Sequence, residues 1–261
     1  VAASKRERDY ARKRQAKWEQ RQARARERRR RVSMVVALVA ALALVGGGAL
    51  VAGLSSADAP ADVAATPSTN GCPEGSTTAR TGGALPDPSV AEGRTWTATL
   101  TLCVDGEVSD VVLELDGENA PQAVASFVSL AQQGYFDDTH CHRLTTSGIY
   151  VLQCGDPTAT GTGGPGYQFG PIENAPEDDV YPAGTLAMAR RGGDGASMGS
   201  QFFLVYQDST IPSDTAGGYT VFGTVTSGLD VVQAVADAGT VDGAGDGSPA
   251  SPVIIEGVET Q

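Results

Sequence analysis

From Arg94 onward the chain alternates between apolar and polar positions. Thr95–Cys103 (TWTATLTLC) and Val108–Leu115 (VSDVVLEL) place apolar side chains at roughly every second residue, and Asp105-Gly106 lies between them. Period two marks a strand with one buried face, and Asp-Gly suits a tight hairpin turn. The period then lengthens. Within Pro121–Gln133, residues Val124, Phe127, Val128 and Ala131 recur at i, i+3, i+4 and i+7, which is the stripe of a helix with one face on a core. Pro121 fits its first turn, where the missing N–H is not needed, and Gly134 stops it. Short apolar runs predict further strands at His142–Leu144, Tyr150–Cys154, Thr185–Ala189, Phe202–Tyr206 and Val221–Val225. A second helix is expected over Leu229–Ala238, ended by Gly239, and a last strand over Val253–Val258. About eight short strands with two helices predict a mainly β fold, an antiparallel barrel or sandwich.

Upstream of Arg94 the pattern is different. Val32–Ala57 carries no charge, and residues 32–54 (VSMVVALVAALALVGGGALVAGL) are apolar enough and long enough to cross ~30 Å of hydrocarbon as a transmembrane helix. Residues 1–31 hold 14 of the 19 Lys and Arg against 4 acids, with no apolar face for a core. They read as a solvated basic cytoplasmic tail that anionic headgroups would attract. The positive-inside rule puts the N-terminus in the cytoplasm and the rest outside, a single-pass protein of the cell membrane. A cleaved signal peptide competes, since Ala57-Asp58-Ala59 resembles a cleavage box. The apolar run is longer than a signal core, however, and Pro60 follows the box. Residues 55–93, rich in Ala, Pro, Ser, Thr and Gly, read as a flexible extracytoplasmic linker, with Cys72 able to pin part of it. Residues 94–261 form the folded domain.

Charge narrows the partners. After residue 31 the chain has 5 Arg, no Lys and 27 acids. Such a surface repels phosphate backbones, so no nucleic acid is expected. The oligomeric state is not legible. The four cysteines, Cys72, Cys103, Cys141 and Cys154, all follow the apolar run and form no CxxC pair, which argues against a zinc site. An even number in an exported segment favours two disulfides over free buried thiols. Three pairings are possible and the sequence does not choose among them. We expect Cys141–Cys154 and Cys72–Cys103.

Three motif matches mislead. Gly161–Gly166 (GTGGPG) fits GxGxxG, but Pro165 sits inside it and no helix pattern follows, so it reads as a loop rather than a dinucleotide site. Gly195–Gly199 (GASMG) fits the serine hydrolase elbow, yet both histidines, His140 and His142, precede Ser197 and no strand–helix alternation carries it. Asp242–Gly247 (DGAGDG) is half a calcium loop with Ala244 and Val253 where ligands are required, and reads as a plain turn. No metal or cofactor is expected.

The blocks Cys141–Leu144 (CHRL), Gln153–Pro157 (QCGDP), Gly161–Tyr167 (GTGGPGY), Gly184–Ala189 (GTLAMA), Gly199–Phe203 (GSQFF) and Tyr219–Gly223 (YTVFG) occur in this order. Together they resemble cyclophilin-type peptidyl-prolyl cis–trans isomerases over about residues 95–259, in a style similar to membrane-anchored actinobacterial members. The resemblance implies a closed eight-stranded antiparallel barrel capped by two helices, acting on proline-containing polypeptides. It implies catalysis by Arg143, with Gln153 holding a substrate carbonyl and His142 beside the arginine as a positioning residue. It puts Phe203 at the floor of a proline pocket with Tyr150, Val151 and Ile211. Gln201, Ala189, Arg190 and Tyr219 would line the groove, while Met188 and Phe202 face the core.

The chemistry suits those residue types. Rotation of an X–Pro amide needs no group transfer, only a catalyst that favours the twisted amide over both planar forms. An always-charged, planar guanidinium is a fit donor to the nitrogen lone pair that twisting creates. The sequence departs from the family pattern at several points around the groove. Nine residues separate Arg143 from Gln153, a longer spacing than usual, and the wall they form is altered. Arg190 and Arg191 stand where Asn-Ala is usual, which implies a preference for acidic peptides. Pro212–Gly218 lengthens a groove-side loop. The altered wall keeps a second reading alive, a low-turnover peptide-binding or scaffold module of the same fold.

Overall fold

The computed structural model describes residues 71–261. The expected basic tail, the expected span at 32–54 and residues 55–70 of the expected linker lie outside these. Among the described residues no helix is long and apolar enough to cross a membrane.

In chain order the elements are β1 (Thr95–Val104), β2 (Glu107–Asp116), α1 (Pro121–Gln132), β3 (Thr139–His140), β4 (Arg143–Ser147), β5 (Ile149–Cys154), β6 (Val180–Tyr181), β7 (Thr185–Met188), β8 (Phe202–Val205), β9 (Ser209–Thr210), β10 (Val221–Ser227), α2 (Leu229–Ala238), β11 (Asp246–Gly247) and β12 (Val253–Thr260). The β1–β2 hairpin turns at Asp105 and Gly106, both at positive φ (49° and 89°), which is what a two-residue turn with strand-compatible twist requires. Its alternation buries Trp96, Ala98, Leu100 and Leu102 against Val111, Leu113 and Leu115.

α1 carries no side-chain cap of its own at Ala120. Instead the carboxylate of Glu173 accepts from the free N–H groups of Gln122 and Ala123 at 3.0 Å each, a negative group where the helix end presents unpaired donors. Its apolar stripe drives Phe127 into the core, where the ring lies 5.2 Å from Phe136, 5.4 Å from Phe202 and 5.5 Å from Phe222.

The paired strands form one curled antiparallel sheet in the order β11-β4-β5-β8-β7-β10-β2-β1-β12-β3, and β6-β9 pair separately. Eight of the ten strands have four residues or more, while β3 and β11 have two each. This differs from the expected closed ring of eight paired strands. β12 and β4, at the two ends of the eight, do not pair directly; the chain between them joins the ends. The N–H groups of Asp138 and Cys141 donate to Ile255 and Val253 of β12, and the next, from His142, donates to Gln153 of β5. One segment thus changes partner between residues 141 and 142.

The expected linker also differs in its described part. Residues 71–93 are fastened to the sheet rather than free. Cys72 is bonded to Cys103, the Ser76 N–H donates to Asp138, Arg80 donates to the carbonyls of Tyr135 and Asp137, and the Gly82 N–H donates to Pro165. A short 3-10 turn, Pro88–Ala91, then leads into β1 with Ala91 buried. The composition that suggests flexibility is overruled by these bonds.

Both disulfides follow the expected pairing, Cys72–Cys103 and Cys141–Cys154, with sequence separations of 31 and 13 residues. Closing loops of these lengths in the unfolded chain is worth roughly 3–4 kcal/mol for the first and about 3 kcal/mol for the second. Replacing Cys72 and Cys103 together by Ser should therefore lower the urea unfolding free energy by about 2–4 kcal/mol. A loss under about 0.5 kcal/mol, against that same chain-entropy scale, would mean the strap adds nothing.

Candidate active site

Strand alternation separates two faces. On β5, Leu152 and Cys154 point into the main core, as do Phe202 and Leu204 of β8 and Leu186 and Met188 of β7. The intervening residues form a second apolar cluster: Val151, Phe203, Val205 and Ala187, joined by Tyr181 and Ile211 from loops and two-residue strands. Ile149, Ala189, Tyr219 and Val221 pack against it. The Tyr219 ring meets Phe203 edge-on at 5.7 Å and Tyr181 at 6.4 Å.

Polar groups continue the same face. The β4–β5 register sets Arg143 opposite Gln153, and the β5–β8 register sets Gln153 opposite Phe203. Arg143 Nη1 donates to Gln153 Oε1 at 3.1 Å, Gln153 Nε2 donates to Gln201 Oε1 at 2.8 Å, and Gln201 Nε2 donates to the carbonyls of Gly161 and Gly163 at 3.1 and 2.8 Å. The loop receiving this chain is wound on Asp156, which is fully buried. Burial alone would raise its carboxyl. The donors around it, Thr158 and the N–H groups of Thr158 and Gly163 foremost, outweigh that and hold it below the usual carboxylate range. The GTGGPG match is this loop and opens no helix.

Arg143 has a further partner. Asp246 accepts from Nε and Nη2, both at 2.7 Å. These bonds hold the guanidinium more firmly charged against the opposing effect of burial, and hold the Asp246 carboxyl below its ordinary range. A cavity of about 400 Å³ opens beside the pair, lined by His142, Arg143, Gln153, Thr160, Gly161 and Asp246 among others.

Of the residues chosen from the sequence, Arg143, Gln153, Gln201, Val151, Phe203, Ile211, Ala189 and Tyr219 converge on this face, and Met188 and Phe202 lie in the core. Three depart. Tyr150 has the opposite parity to Val151 and packs toward the main core, its ring 6.0 Å from Tyr206. Arg190 offers no free side-chain N–H to the groove. Its side chain is fully buried, paired with Asp214 at 2.8 Å, donating to the carbonyls of Gly217 and Gly218, and stacked 4.5 Å from the Tyr219 ring. With no free guanidinium, it has no reach to an acidic peptide, and it holds the lengthened loop against Tyr219 instead. His142 makes no side-chain hydrogen bond to Arg143 or Gln153, and neither ring nitrogen has a partner among the described residues.

Sequence reasoning missed Ile149, Ala187, Val205 and Tyr181. Ile149 was within reach, being two residues before Val151 on one strand. It also missed Asp246, which lies 103 residues from Arg143 inside a run that reads as a plain turn.

A family model described as "Cyclophilin type peptidyl-prolyl cis-trans isomerase/CLD" matches residues 100–260. A "Probable peptidyl-prolyl cis-trans isomerase B" of Mycobacterium leprae is 45% identical over 171 residues, 61% of this chain and 56% of that one. The protein of the same description from Mycobacterium tuberculosis (strain ATCC 25618 / H37Rv) is 48% identical over 161 residues, 57% of this chain and 50% of that one. The chain thus spans about half the length of these curated relatives. Among solved structures, a Cryptosporidium parvum cyclophilin type peptidyl-prolyl cis-trans isomerase in the presence of dipeptide Ala-Pro superposes with a TM-score of 0.52 at 25% identity, covering 63% of this chain and 98% of that one.

Burial, reinforced by the charges of Arg143 and His140 and opposed by Asp156, lowers the His142 pKa from its ordinary 6.5. Below about pH 6.5 the unfolded chain then binds a proton at this position that the native state refuses, so stability falls as the pH drops, until the native ring also protonates. Urea unfolding between about pH 7.5 and about pH 5 should show a shallower decline in His142→Gln than in the wild type. Identical slopes would mean that His142 protonates as freely as in the unfolded chain.

Proposed function

The chain belongs to the cyclophilin-type peptidyl-prolyl cis-trans isomerase family, and on that footing we propose that it catalyses rotation about X–Pro bonds of exported or unfolded polypeptides. The observation that carries this reading is the pairing of Arg143 with Gln153, in register, at the edge of the apolar face formed by Val151, Phe203, Ile211 and Tyr219. The uncatalysed rotation faces a barrier of ~18–20 kcal/mol from amide resonance and takes tens of seconds or more. The prolyl ring seats on the apolar face and is held still, while the preceding carbonyl swings. Gln153 Nε2 keeps one N–H beyond the one given to Gln201, and this donates to a substrate carbonyl. Arg143 donates to the prolyl nitrogen as it becomes pyramidal, an interaction that the planar ground state lacks. No proton changes hands, so His142 has no acid–base part to play and serves as a wall of the cavity beside the arginine.

We also read the curled sheet as the family's closed barrel, with residues 138–147 as its seam. The uncharged run at 32–54 and the basic residues before it support an anchor with a cytoplasmic N-terminus and an extracytoplasmic domain. The two disulfides favour that oxidising side.

The test is exchange-detected isomerisation of a short X–Pro peptide by the wild type and by Arg143→Ala. Turnover should fall about 100- to 1,000-fold in the variant, the range for losing one preorganised donor, with the thermal midpoint within a few degrees. Equal turnover in the two would remove Arg143 from the chemistry. Tight peptide binding with no turnover in the wild type would instead identify a recognition module.

A further inference from the structure

Asp246 reaches the site by an unusual route. The connection from α2 to β12 folds back, and Asp246 and Gly247 add themselves as β11 to the edge of β4, in register with Thr145 and Leu144. The connection is braced throughout. The Thr146 N–H donates to Gly245, the Ala250 N–H donates to Gly239, the Val241 N–H donates to Ser248, and the Thr240 hydroxyl donates to the carbonyl of Ala244 at 2.6 Å. The carboxylate therefore arrives on a fixed backbone and takes two adjacent N–H groups of Arg143 in one plane.

The pair is a weak candidate for stability. Its side chains are 42% and 55% exposed, and exposed ion pairs contribute about 0–1 kcal/mol. Its effect on orientation is larger. An arginine side chain has about 2 kcal/mol of rotamer freedom to lose, and a bidentate fork fixes both the guanidinium plane and its rotation about Nε–Cζ. With Nε and one Nη2 hydrogen on Asp246 and one Nη1 hydrogen on Gln153, the remaining donors project from a fixed edge beside the apolar face.

We propose that Asp246 is a positioning residue for the isomerase reaction, an acid carried on an added edge strand that pre-aims the Arg143 guanidinium at the prolyl amide. This rests on the isomerase reading above. The opposite role, a lock that the substrate must break, predicts the opposite response to its removal.

The experiment uses the 261-residue chain and four proteins: wild type, Asp246→Ala, Asp246→Asn and Asp242→Asn. The last removes a carboxylate charge from the same loop, at a side chain that accepts from the Ala244 N–H, without touching Arg143. Isomerisation of an X–Pro peptide is followed beside the Arg143 Nε–Hε resonance. Asp246→Ala should lose about tenfold in kcat with KM little changed, since misaiming affects the twisted state most. The Arg143 Nε–Hε signal should also lose its protection from solvent exchange. Asp246→Asn, which keeps one acceptor, should recover part of both, and Asp242→Asn should match the wild type in both. Faster turnover in Asp246→Ala would overturn the proposal and mark a lock, and unchanged turnover with an unchanged Arg143 signal would overturn it too. A wild type without turnover would overturn the isomerase reading itself and this proposal with it. An active wild type keeps the two failures apart.

Discussion

The change of partner between Cys141 and His142 is the constraint on which the rest of the structure depends. Every buried N–H along this segment needs an acceptor. Those of Asp138 and Cys141 find theirs on β12, and that of His142 finds its own on β5. The switch fixes which residue first belongs to β4, and that residue is Arg143. A slip of one position would carry Arg143 to the opposite face of the sheet. The Cys141–Cys154 bond sits at the switch, immediately before His142 and Arg143 at the entry to β4 and immediately after Gln153 at the end of β5. A covalent tie next to both polar groups of the site makes their register a property of the chain rather than of the local ladder.

The same strands serve two masters. One parity fills the interior with Leu152, Phe202, Leu204 and Leu186 around the Phe127 ring. The other carries Val151, Phe203, Val205 and Ala187 outward, where an apolar face would be a liability without cover. Tyr181 of β6, with Ile211 and Tyr219 from the loops, supplies that cover. Arg190 secures it, since its buried guanidinium reaches three carbonyls and a carboxylate while lying on the Tyr219 ring. A charge kept wholly inside makes sense only with each of its donors engaged, and here all the engaged groups but the Arg191 carbonyl belong to the loop that frames the pocket.

Much of this was legible in the sequence because it is written locally. Periods of two and 3.6 located the β1–β2 hairpin and both helices to within a residue or two. The ordered blocks around Arg143, Gln153 and Phe203 carried most of the site. The misses share a cause, which is that side-chain fate depends on partners distant in sequence. Tyr150 and Val151 look interchangeable by type, and only parity with Gln153 separates them. Arg190 reads as a solvent-seeking charge until Asp214 and the Gly217 and Gly218 carbonyls fold over it. Asp246 sits in a run of glycines and aspartates whose composition announces a turn, and nothing local tells that one carboxylate of that turn is joined to an arginine 103 residues away. The 71–93 segment has the composition of a tether, and its docking needs Cys103, Asp138, Tyr135 and Pro165, partners that lie outside the segment.

The Cys72–Cys103 bond has a mechanical meaning. Any load on the chain upstream of Cys72 passes through sulfur into Cys103, near the end of β1, a strand flanked on both sides by β2 and β12. Residues 73–102 form a covalently closed loop off that line of force. A pull therefore cannot peel the strap away residue by residue, as it would a segment held by hydrogen bonds alone. It meets the sheet at one point, where two ladders must shear together before anything yields.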